Sequence, residues 1–202
     1  VRERGFSYHD DAPLDMRMDQ SQSLSARDII NTWSEDELNR IFRDYGEEKF
    51  TPRIVNAIVD ARAVKPIETT TELAEIVKNA YPAAARRGSN GHPARQTFQA
   101  IRIATNGELD RLAEALDRVF DRLAPGGRFA IITFHSLEDR LVKLGFREQA
   151  GGCTCPKDFP VCICGNMPKL QEVSTQPILP SNEELEANPR SRSAKLRVCE
   201  KL

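Results

Sequence analysis

Four cysteines stand in two close pairs, Cys153-x-Cys155 and Cys162-x-Cys164, around Pro156-Lys157-Asp158-Phe159-Pro160. Four thiolates are the donor set of a structural zinc site. One zinc ion gripped by Cys153, Cys155, Cys162 and Cys164 is the expectation. The pairs are tighter than zinc-ligand pairs usually are, so a surface loop of free or redox-sensitive thiols is the other reading. A second constellation closes the run Gly126-Gly127-Arg128-Phe129-Ala130-Ile131-Ile132-Thr133, which leads into Phe134-His135-Ser136-Leu137-Glu138-Asp139-Arg140. An apolar run bounded by turn residues and flanked by helical patterns reads as a buried strand of an α/β sheet. Such sheets bind ligands outside the carboxyl ends of their strands, which makes His135, Ser136 and Asp139 pocket candidates. The same residues read as a helix cap, with Ser136 as N-cap and Asp139 three residues on, and the two roles are compatible. A Ser-His-Asp hydrolase is a poor reading, because His135 and Ser136 are adjacent and the chain has no Gly-x-Ser-x-Gly elbow.

A third group is basic. The net charge is only −1, yet no acidic residue falls between Glu75 and Glu108, where Lys78, Arg86, Arg87, Arg95 and Arg102 lie. The same holds between Glu186 and Glu200, with Arg190, Arg192, Lys195 and Arg197. Two acid-free basic stretches in a near-neutral chain suggest a surface that faces a polyanion; ordinary solvated charge is the bland alternative. Arg95, Gln99 and Arg102 share one broad helical face beside Phe98 and Ile101, an arrangement suited to phosphate or base contact. Asn188-Pro189-Arg190-Ser191-Arg192-Ser193 offers guanidiniums and hydroxyls in a loop, a composition suited to phosphate though not specific to it, so Arg190 and Arg192 join the candidates for phosphate contact.

The elements that must carry these residues fall into blocks. Residues 1–20 show little periodicity and read as a loop or linker. Residues 21–105 read as a run of helices. Ser34 with Glu37 and Thr69 with Glu72 are capping boxes, and Leu38, Ile41, Phe42 and Tyr45 follow on one helical face. Thr51-Pro52 looks like an N-cap with Pro in the first turn. Ala83 to Gly91 reads as a loop, and His92-Pro93 opens a further helix. From residue 106 a strongly periodic helix (Leu109, Leu112, Leu116, Val119, Phe120, Leu123) precedes the strand, and a helix from Leu137 to about Glu148 follows it. The Cys-rich loop spans 151–165. Leu170 to Ile178 and Ala194 to Cys199 read as two strands too close in sequence for a helical crossover, hence an antiparallel pair at a sheet edge.

Several classes are disfavoured. No Gly-x-Gly and no Walker A sequence occurs, so the close backbone approach that a dinucleotide or adenosyl group needs has no obvious provider. No apolar stretch approaches the length of a membrane span. Val1-Arg2-Glu3-Arg4-Gly5 is not a signal peptide and lacks a starting Met, so a fragment or processed product in a reducing, cytoplasmic setting is expected. Cys199 then reads as a simple buried thiol in the last strand.

Gly5-Phe6-Ser7, Pro13-Leu14-Asp15-Met16-Arg17-Met18-Asp19, Tyr45-Gly46-Glu47-Glu48-Lys49-Phe50, the stretch His92 to Ile103, Phe134 to Arg140, and Asn188 to Arg197 occur in this order. Together they resemble the ribosomal RNA small-subunit methyltransferase H family. The resemblance covers essentially the whole chain. It implies S-adenosyl-L-methionine as cofactor and N4-methylation of a cytidine in small-subunit (16S) rRNA, with that rRNA or the assembled small ribosomal subunit as partner, and a homodimer as an option. The implied fold is α/β: the C-terminal part of a Rossmann-like class I methyltransferase domain (106–202) plus an inserted all-helical substrate-recognition domain (21–105), with 1–20 as linker. The family's cofactor-binding motifs lie upstream of the first motif seen here, so none is carried over and this chain alone is expected to be inactive. Asp15 and Arg17 then sit near the junction of insert and catalytic domain, and Asp15 joins the pocket candidates. A stand-alone helical RNA-binding module with a zinc-stabilised loop remains the alternative.

Overall fold

The computed structural model describes residues 2–88, 91–152, 155, 161 and 163–202. The chain divides into two compact units, Val1–Glu108 and Leu109–Leu202. Among the described residues no helix is long and apolar enough to cross a membrane.

The first unit is helical: α1 (Ala26–Thr32), α2 (Glu35–Asp44), α3 (Thr51–Val64), α4 (Thr70–Ala80), α5 (Ala83–Gly88) and α6 (Ala94–Asn106). Both expected capping boxes are present, Ser34 with Glu37 and Thr69 with Glu72. A third, Ser25 with Asp28, starts α1. Each box satisfies backbone N–H groups that a helix start leaves without partners. Thr51 is not the cap of α3. It is the first helical residue, Phe50 occupies the cap position without a side-chain bond, and the Thr51 hydroxyl donates instead to the Glu48 carbonyl at 2.7 Å. Residues 83–88, expected as loop, form the short helix α5, in keeping with the high helix propensity of Ala83-Ala84-Ala85. The inward faces of the helices bury Ile29, Ile30, Leu38, Ile41, Phe42, Ile54, Ile58, Leu73, Val77 and Ile101 in one core. Each such side chain contributes about 1.5–3 kcal/mol.

Residues 1–20 do more than connect. Leu14 and Met16 are fully buried in the same core. The Leu14 N–H donates to Glu68 O at 2.9 Å, Thr70 N–H to Ala12 O at 3.0 Å and Met16 N–H to Arg4 O at 2.9 Å. Gly5 makes this possible. Its φ is +70°, and a Cβ there would lie 2.2 Å from the Pro13 carbonyl oxygen. Gly5→Ala is therefore expected to cost at least about 1–3 kcal/mol, read as a lower urea midpoint of Trp33 fluorescence; an unchanged midpoint would show that the segment is not held by this turn.

The second unit holds α7 (Glu108–Arg122, its first residue in the preceding unit), β1 (Arg128–Thr133), α8 (Ser136–Ala150), β2 (Leu170–Glu172), the short α9 (Asn182–Ala187), a 3-10 turn over Pro189–Ser193, and β3 (Lys195–Lys201). The sheet order is β1-β3-β2 with both pairings antiparallel. The expected antiparallel pairing of the last two strands is present. It is shorter than expected, since β2 ends at Glu172 and Ile178 adds only an isolated bridge to Leu196. Phe129, Ile131 and Cys199 pack with Leu116, Phe120, Val142, Phe146 and Leu170 into a second core. Strand β1 is not buried on both faces as its apolar run suggested. Its residues alternate, with Arg128, Ala130 and Ile132 on the exposed side, Ile132 at 55% exposure.

Candidate functional site

Helix α8 begins where β1 ends, and the chain reaches it through Phe134 and His135. The cap is one residue earlier than the sequence suggested. His135, not Ser136, is the N-cap: its Nδ1 accepts the Glu138 N–H at 3.3 Å. Glu138 closes the box, its Oε2 accepting the N–H groups of Phe134 at 2.8 Å and His135 at 3.3 Å. Burial pushes the Glu138 carboxyl up, but its hydrogen bonds to His135 and Phe134 more than offset this and hold it below the usual carboxylate range. Ser136 is exposed on the first turn of α8.

Asp139 is held in an ion pair with the last strand. It is buried beneath α8, where Oδ1 accepts from Arg197 Nε at 2.7 Å and Oδ2 from Arg197 Nη2 at 3.2 Å and Lys195 Nζ at 3.1 Å. The period-two alternation of β3 places Lys195, Arg197 and Cys199 on one face, so two cations and a thiol point the same way. The Arg197 hydrogen bond holds the Asp139 carboxyl below its ordinary range. Arg197 is 5% exposed, and its Nη1 has no hydrogen-bond partner among the described residues. The trio His135, Ser136 and Asp139 is thus a cap, an exposed hydroxyl and an ion pair. Sequence reasoning missed Glu138, Lys195 and Arg197 as its partners. An acid six residues past the end of β1, with alternating cations in the last strand, was the available signal.

In the first unit Asp15 is locked by its neighbour. It accepts from Arg17 Nε at 2.7 Å, Arg17 Nη2 at 3.0 Å and the Arg17 N–H at 3.0 Å. That pairing lowers the Asp15 carboxyl. Arg17 Nη1 also donates to Gln22 O at 2.7 Å, and Arg4 reaches the carbonyls of Arg17 and Met18. Between the two paired residues Met16 adopts φ +57°, a left-handed conformation costly for a side-chain-bearing residue. Asn106, at the end of α6, pins this turn. Its Nδ2 donates to Met16 O at 2.9 Å, and its Oδ1 accepts the Met18 N–H at 2.7 Å.

The candidates for RNA contact differ in availability. Arg95 is exposed on the first turn of α6. Arg102 is engaged, with Nε and Nη2 at 2.8 and 2.9 Å from the two carboxylate oxygens of Glu108. Gln99 Nε2 donates to Tyr45 O at 3.0 Å. Arg190 and Arg192 are exposed in the 3-10 turn of the second unit. Of the four clustered cysteines, Cys153 and Cys162 lie outside the described residues; Cys155 and Cys164 are half-buried, and the Ile163 N–H donates to Cys155 Sγ at 3.4 Å.

The chain belongs to the MraW methylase family, whose model matches residues 1–202. It is similar to the protein named ribosomal RNA small subunit methyltransferase H in Paenibacillus sp. (strain JDR-2), at 58% identity over 200 residues, 99% of this chain and 63% of that one. The same name is carried by a relative in Heliobacterium modesticaldum, 56% identical over 99% of this chain and 64% of its own length. A third, in Clostridium botulinum, is 54% identical over 98% of this chain and 64% of its own. The chain thus spans less than two thirds of the length of these relatives.

Proposed function

We propose that this chain serves an enzyme that moves a methyl group from S-adenosylmethionine to N4 of a cytidine in small-subunit rRNA. Its part is to hold the RNA and to shape the floor of the pocket that receives the base. The observation that supports this most is the family match over the full chain, together with the names borne by relatives more than half identical to it. The transfer is mainly a positioning problem: an amine must be placed in line with a methyl donor, and the base must leave its stack to get there. Arg95 in the helical unit and Arg190 and Arg192 in the second unit are the phosphate contacts under this reading. Arg102 is excused from that role, because its guanidinium already faces Glu108. Asp139 acts through others: by gripping Lys195 and Arg197 it fixes the start of α8, and so the His135–Glu138 cap, against β3.

The donor itself does not fit the residues present. An adenosyl group is usually met by a Gly-rich turn and a carboxylate turned to its ribose. The chain has no Gly-x-Gly, and the two carboxylates beside the end of β1, Glu138 and Asp139, are committed to the cap and to the ion pair. The donor's grip is accordingly assigned to the part of the relatives that this chain does not span. Calorimetric titration of this chain with S-adenosylmethionine is expected to give no heat above dilution. The chain joined to the remaining segment of a relative is expected to methylate small-subunit rRNA, read as N4-methylcytidine by mass spectrometry of nucleosides. Arg95→Glu and Arg192→Glu are each expected to weaken RNA binding and lower its salt slope by about one. Micromolar donor binding by this chain alone, or unchanged RNA affinity in both charge reversals, overturns the respective part of the reading.

A further inference from the structure

We propose that Tyr8, His9 and His92 form a stacking platform for an unpaired RNA base, set beside the exposed guanidinium of Arg95. The inference rests on the RNA-binding reading above and adds a site to it. Tyr8 and His92 are stacked, with ring centroids 4.8 Å apart and an interplanar angle of 18°. The exposed His9 ring lies 4.4 Å from Tyr8 and 5.9 Å from His92.

These rings are held from behind. Phe98, buried in the helical core, meets Tyr8 edge-on at 5.6 Å and 84°. His92 accepts the Ala94 N–H through Nδ1 at 3.1 Å, which fixes the imidazole at the start of α6. Core packing explains Phe98 and the side of Tyr8 that leans on the helical core, but it does not explain two imidazoles gathered around that tyrosine at the surface. Rings with fixed planes, two half-buried and one exposed, suit a nucleobase. Base–aromatic stacking tolerates any sequence and gains most when the ring has little freedom left to lose. The charge around them is compatible. Arg95, on the first turn of α6, donates its backbone N–H to the His92 carbonyl at 3.0 Å, and Lys78, on α4, is paired with Glu75 at 2.8 Å. Asp11, close in sequence to His9, is turned onto the Thr71 hydroxyl.

The test uses the full chain and a short single-stranded oligoribonucleotide, with an abasic counterpart of the same length, measured by fluorescence anisotropy. His9→Ala and Tyr8→Leu are expected to weaken binding of the intact oligonucleotide roughly 5- to 100-fold, while Tyr8→Phe leaves it unchanged. The abasic strand is expected to bind the wild type as weakly as the intact strand binds His9→Ala. If the wild type binds both strands equally, the platform is wrong and the phosphate contacts stand alone; this is also the result if the rings serve a protein partner. If the wild type binds neither strand, the RNA reading falls and the platform with it. Should Tyr8→Leu lose its cooperative melt, His9→Ala decides, since it removes only an exposed ring.

Discussion

Asp139→Ala is expected to cost the second unit about 3–5 kcal/mol, because it leaves the buried Arg197 guanidinium without its counter-charge; Lys195, more than a third exposed, keeps its contact with water and adds little to the loss. Arg197 is almost fully buried, and its Nε and Nη2 both spend their hydrogen bonds on Asp139. With the carboxylate gone they join Nη1, which already has no partner among the described residues. The loss falls on the junction of β3 with α8, so hydrogen exchange of β3 amides is the direct readout. Trp33, the single tryptophan, lies in the helical unit and serves as an internal control whose melt should not move. The pH dependence follows from the same pair. Hydrogen bonding to Arg197 holds the Asp139 carboxyl below its ordinary value even though burial opposes this. A depressed carboxylate stabilises the fold above its unfolded pKa of about 3.9, and the benefit disappears as pH falls through the folded value. Protection of β3 in the wild type should decline below about pH 4. Asp139→Asn should start lower and show a flatter acid limb. Parallel acid limbs in the two proteins would show that this pair does not control the unit's stability.

Asn106→Ala is expected to be the most damaging change in the helical unit outside its apolar core, at about 2–4 kcal/mol. The side chain is almost fully buried, and it serves three backbone groups: it donates to Met16 O and Arg102 O and accepts from Met18 N–H. Without it, a turn already strained at Met16 loses the bonds that over-determine it. Asn106→Asp should be nearly as harmful, since the acceptor for Met18 survives but both donor bonds are lost. Both variants should lower the Trp33 melting midpoint and loosen the Asp15–Arg17 pair. An unchanged midpoint in Asn106→Ala would show that Arg4 alone suffices to hold the turn.

What could be read from the residues was mostly local. The capping boxes at Ser34 and Thr69 announced α2 and α4, and the periodic leucines announced α7, because a cap and an apolar stripe are each contained within a few turns of chain. The order in residues 1–20 depends instead on partners far away in sequence, such as Asn106 for Met16 and Glu68 for Leu14, and no local pattern carries it. The run Phe129 to Ile132 told of a strand but not of which faces would be covered, since that is decided by α7 and α8 on one side only. At the candidate site the error was one residue. Ser is a better N-cap than His by preference, and both Glu138 and Asp139 stand three residues after a candidate cap. The path of the chain out of β1 chose His135 with Glu138 and left Asp139 free to turn inward. The partner of Arg102 was hidden for a similar reason, since its spacing on α6 said nothing of Glu108 beyond the glycine that ends the helix.

The middle place in the sheet belongs to β3, which comes after both its neighbours in the chain. Strands β1 and β2 never bond to each other, so each waits for the same later segment; the Thr133 hydroxyl meets its partner, the Lys195 carbonyl, across 62 residues. During synthesis the helical unit precedes this whole arrangement, whereas the second unit cannot assemble any ladder until β3 has emerged. Its ladders therefore wait on ring closure over a long stretch of chain. A nascent chain stalled just before Lys195 would carry a finished bundle followed by two idle strands.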